Sequence, residues 1–102
     1  GTEGTMGYFG FTYFEENASR LQSLAVKGDG DCVEPTAESI TAGDYPLSRP
    51  LFLYVNTAAL ERPEVTAFVK YYLENAVSIA EDNQFVPAPQ DSLDESLGKL
   101  PA

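Results

Sequence analysis

The chain has 102 residues, 43% of them hydrophobic, with sixteen acidic side chains against six basic ones for a formal charge of −10. That length supports at most one small domain, burying about 60 to 65% of its unfolded surface, and that charge repels nucleic acid and anionic membrane. Histidine and tryptophan are absent, which excludes a histidine general base, a Ser/His/Asp triad and a histidine metal site.

The first predicted element is Met6 to Phe14, "MGYFGFTYF", apolar and aromatic on both faces as a strand covered on both sides would be; polar "EENASRLQ" then predicts a short helix. Gly1, Gly4, Gly7 and Gly10 recur every third residue, but without proline the spacing is no collagen repeat. Glycines at 7 and 10 instead suit a backbone passing close to another element. Leu21 to Val26, "LQSLAV", alternates as a second strand, and "KGDGDC" is a turn. Asp29 and Asp31 do not make a calcium loop, because Val33 and Ile40 stand where further oxygen ligands would be needed, so no metal is expected. Cys32 has no partner within the chain and is expected either as a small buried thiol or as one half of a disulfide to a cysteine elsewhere. "EPTAESITAG" predicts a helix capped by Thr36 and closed by Gly43.

Leu51 to Val55, bounded by Pro50 and Asn56, is an apolar, aromatic and β-branched run without alternation, predicting a central strand covered on both faces. The strongest helix follows. Pro63 suits its first position, and Val65, Phe68, Val69, Tyr72, Leu73, Ala76, Val77 and Ala80 form one apolar stripe. "FVPAPQ" ends it, and Leu93, Leu97 and Leu100 predict a last helix with Asp91 as its cap. The pattern is α/β, yet strands covered on both faces need more helices than these. The chain is therefore expected to associate with itself or to be a piece of something longer, as the absence of a start methionine, a signal peptide and a membrane-length apolar window also suggests.

Few residues suggest chemistry. Ser96 to Lys99, "SLGK", has the Ser-x-x-Lys spacing of serine acyl enzymes without their companion motifs, and is expected to be helix surface. Glu15 and Glu16 are adjacent and cannot face each other on a helix. Asn17-Ala18-Ser19 is a glycosylation triplet of a kind common by chance. No catalytic residue, and so no enzyme, is expected.

Four blocks in order, "GYFGFTYFEEN" (Gly7 to Asn17), "CVEPTAESI" (Cys32 to Ile40), "YPLSRPLFLYV" (Tyr45 to Val55) and "RPEVTAFVKYYLENA" (Arg62 to Ala76), resemble the C-terminal third of the phosphate-binding components of bacterial phosphate ABC transporters. The resemblance implies part of a two-lobed, type II periplasmic-binding-protein-like fold that captures inorganic phosphate outside the cytoplasm for a transporter permease, without a cofactor. An interaction or sensory domain on the same scaffold is the alternative. On this resemblance residues 1–43 end the second lobe, 44–50 cross between lobes, and 51–102 complete the first. Tyr45, Pro46, Leu47 and Pro50 would form the hinge, its two prolines fixing φ and stiffening the link. Ser48 and Arg49 would be the polar residues facing the cleft, unless Arg49 pairs with a carboxylate and serves the hinge alone. The family's phosphate ligands lie before this segment, and "EGT" at Glu3 to Thr5 is only superficially like its Ser-Gly-Thr turn, so no ligand is carried over.

Overall fold

The computed structural model describes residues 2–102; Gly1, the first of the four spaced glycines, lies outside them. In chain order the elements are α1 (Phe11–Glu16), β1 (Val26–Lys27), β2 (Cys32–Val33), α2 (Ala37–Ala42), a 3-10 turn (Thr57–Glu61), α3 (Pro63–Glu74), α4 (Ala76–Asp82) and α5 (Gln90–Gly98). β1 and β2 pair antiparallel, with Val26 opposite Val33 and Lys27 opposite Cys32, around the "GDGD" turn.

The helices follow their local signals. Thr36 accepts from the Ser39 N–H at 3.0 Å while the Ser39 hydroxyl accepts from the Thr36 N–H at 3.0 Å, a reciprocal capping box with serine in the usual glutamate position. Gly43 closes α2 at φ +79°, where a side chain would be strained. Pro63 opens α3 as expected. The single helix expected over the apolar stripe is instead two. Asn75, at φ −109°, ends α3, and its side-chain amide donates to the Tyr71 carbonyl at 2.8 Å, a local bond that competes with helix continuation. In α5 the N-cap is Pro89, and Asp91 sits inside the first turn.

The expected strands are the larger correction. Residues 6–10 carry no regular structure and Phe11–Glu16 is helical, so the strand over Met6 to Phe14 does not form. In Leu21 to Val26 only Val26 pairs. Leu51 to Val55 has no strand partner and is solvent-facing rather than central, with Leu51 77% and Tyr54 89% exposed. A strand needs a neighbour to satisfy its backbone, and among the described residues none is aligned with this run.

Packing is concentrated where α3 meets α5, the 3-10 turn and α4, and the buried apolar side chains are Val69 on α3 and Leu93 on α5. The radius of gyration is 17.4 Å, against about 13 Å for a compact domain of this length. The accessible surface of 8293 Å² likewise exceeds the roughly 5,700 Å² of a folded monomer of this mass. No helix among the described residues is long and apolar enough to cross a membrane.

Candidate functional site

The segment leaving α2 turns at Tyr45. Both the N–H and the hydroxyl of Ser48 donate to the Tyr45 carbonyl, at 2.9 and 2.7 Å, a closure that the φ of Pro46 favours. Tyr45 and Ser48 are half-buried; Leu47, Arg49 and Pro50 are exposed. Pro46 lies against the β-hairpin turn so closely that a Cβ on Gly28 would stand 2.9 Å from the proline Cγ. Gly28 therefore permits the contact.

Ser48 and Arg49 are adjacent, but their roles differ. The Ser48 proton is committed to its own turn, leaving its oxygen free to accept. Arg49 has no carboxylate within ion-pair distance among the described residues, so the carboxylate partner considered from the sequence is not found. Its guanidinium belongs to an exposed residue and makes no hydrogen bond among the described residues. Beside the turn, Gly28, Asp29, Asp31, Ser39, Asp44 and Pro46 line a shallow hollow of about 330 Å³. Three carboxylates and no basic side chain make that hollow repulsive to an oxyanion.

The remaining candidates resolve into local structure. The Ser96 hydroxyl donates to the Ser92 carbonyl at 2.9 Å, and Lys99 pairs with Glu95 at 2.9 Å, so "SLGK" is helix surface. The Asn17 amide donates to the Tyr13 carbonyl. Thr5 closes a turn onto the Thr2 carbonyl rather than opening a helix. Cys32 is exposed, which overturns the buried-thiol expectation: at the end of a two-residue pair it has no core to enter. No group of three or more metal-binding side chains occurs among the described residues. The carboxyls held below their usual range are Glu64, by its own backbone N–H and by Arg62, and Glu95, by Lys99; both belong to exposed ion pairs on α3 and α5.

One polar connection carries no mark in the residue pattern. Gln84, just beyond α4, has φ +61°, a conformation that glycine or asparagine would signal and glutamine does not. It is bonded to Thr12 and Glu16 of α1.

Comparison with known proteins gives a consistent answer. The protein SphX of Synechococcus elongatus is 42% identical over 88 residues, covering 84% of this chain and 26% of that protein. The phosphate-binding protein PstS of Staphylococcus haemolyticus is 39% identical over 97 residues, covering 93% of this chain and 31% of that protein. The protein SphX of Synechocystis sp. is 39% identical over 98 residues, 94% of this chain and 29% of that protein. The chain thus spans less than a third of the length of these relatives. No solved structure matches. Residues 2–76 match the family model described as PBP superfamily domain, and with most of its length matched the chain belongs to that superfamily.

Proposed function

We propose that this chain is a segment of an extracytoplasmic, two-lobed type II binding protein that captures inorganic phosphate and delivers it to an ABC-transporter permease, with no chemical step of its own. The observation that carries it is the 39% identity to a protein named for phosphate binding over 93% of this chain. The exposed run Leu51 to Val55 adds support, since an apolar strand-forming sequence without a partner fits a sheet whose other strands lie elsewhere in a longer protein.

Residues 1–43 then end the second lobe, 44–50 cross back, and 51–102 complete the first, with Tyr45, Pro46, Leu47 and Pro50 as hinge. Ser48 and Arg49 face the cleft. There the free guanidinium of Arg49 adds a charge-assisted donor near the oxyanion without contributing to the principal ligand set. The net charge of −10 is compatible with this, because neutral donors and helix N-termini hold a dianion locally.

Titration calorimetry tests the reading. The complete gene product should bind inorganic phosphate at micromolar concentration or tighter, whereas the 102-residue chain should give no saturable heat. Silence from the complete product would overturn the function, and a micromolar isotherm from the short chain would show that it holds a site of its own.

A further inference from the structure

We propose that Gln84 is a latch between the two lobes, an inference that rests on the two-lobed reading above. Thr12 and Glu16 stand one turn apart on the same face of α1, in the segment assigned to the second lobe, and both bond to Gln84, in the segment assigned to the first. The Thr12 hydroxyl donates to the Gln84 carbonyl, and the Gln84 side-chain amide donates to a Glu16 carboxylate oxygen at 2.8 Å. Among the described residues these are the side-chain hydrogen bonds that join distant parts of the chain; the others link residues six or fewer apart.

The backbone at Gln84 strengthens the case. Its N–H donates to Glu81 and the N–H of Phe85 to Ala80, the paired bonds of a helix end whose next residue is left-handed. Glycine occupies that position without strain, and glutamine does not. Local structure alone would thus be served better by glycine. The side chain that glycine lacks is the one that reaches Glu16. Strain retained at a single residue, together with bonds that cross between two bodies, is the pattern of a switch. The latch holds the lobes together until thermal opening breaks both bonds, slowing release of whatever the cleft encloses.

The test uses the complete gene product in a Cys32→Ser background, with spin labels on cysteines at the exposed positions Ser19 and Ser92, one on each proposed lobe. Gln84→Gly should melt at or above the wild-type temperature, because it relieves the left-handed residue, while the ligand-free label distance lengthens. Release of inorganic phosphate should quicken by about ten-fold, the lower end of the scale of one lost charge-assisted bond. Glu16→Ala should lengthen the distance and quicken release in the same way, and Glu16→Gln, which keeps an acceptor oxygen, should restore the closed distance. Unchanged distances in both Gln84→Gly and Glu16→Ala would overturn the latch. Failure of the wild-type protein to bind phosphate would instead sink the functional reading, and the distances, which need no ligand, would still decide the latch.

Discussion

Replacing Thr36 by alanine removes one half of the reciprocal pair with Ser39 and leaves the first-turn N–H of α2 without its acceptor. The expected cost is about 1 kcal/mol, read as faster amide exchange at Ser39 and Ile40 with little change in α3. Charge at single residues gives a pH dependence. The carboxyls of Glu64 and Glu95 are held low in the folded chain, the first by its own N–H and then Arg62, the second by the Lys99 hydrogen bond. The folded state therefore binds fewer protons than the unfolded one, so this support is present at neutral pH and is lost as the pH falls below about 4.3 and through the depressed folded values. Helical circular dichroism should weaken over that range. Lys99→Ala should flatten the part due to α5, and a signal constant from pH 6 to pH 2 would count against both pairs.

Among the elements, helices with local punctuation were legible and strands were not. Thr36, Gly43 and Pro63 act within a few residues of themselves, so α2 and the start of α3 follow from the sequence alone. Met6 to Phe14 and Leu51 to Val55 have the composition of strands, but composition records fitness for a pleated surface and not the presence of a neighbour. Hydrophobic period also says nothing of a break such as Asn75, where a polar side chain bonds backward onto its own helix. The exposure of Arg49 and the bond from Ser48 to Tyr45 were not legible, because they depend on how the turn after Tyr45 closes. Leu93 tests the packing between α3 and α5. It is 7% exposed, and Leu93→Ala should cost about 2 to 5 kcal/mol, as a core truncation does. Loss of exchange protection throughout α5 would register it; a change confined to the residue's immediate neighbours would show that α5 does not depend on that contact.

At the scale of the whole chain, surface area dominates. The accessible surface of 8293 Å² is roughly 2,600 Å² more than a compact monomer exposes, within the range that obligate interfaces bury. Its apolar part includes Met6, Tyr8 and Phe9 before α1, Leu51 to Tyr54, and Phe68 and Tyr71 on α3. The isolated chain should cover such a surface by self-association, to which the Met6 to Phe14 segment and the helices over Val65 to Ala80 contribute most. Light scattering over a hundred-fold concentration range should give a dimer or larger species. A well-folded monomer throughout would show that the segment closes its own core.

The contact between Gly28 and Pro46 has a mechanical side. In the proposed two-lobed protein it sets a boundary on the tilt of the crossing segment, because the proline ring rests where a methyl group on residue 28 would be. A rigid ring cannot rotate out of the way as a long side chain can, so added volume at residue 28 becomes displacement of the backbone at Pro46. Gly28→Ala and Gly28→Val then form a graded wedge. The angle between lobes, followed by small-angle scattering of the complete protein, should shift in the order of side-chain volume, and equal angles in all three would mean that the hairpin yields before the crossing does.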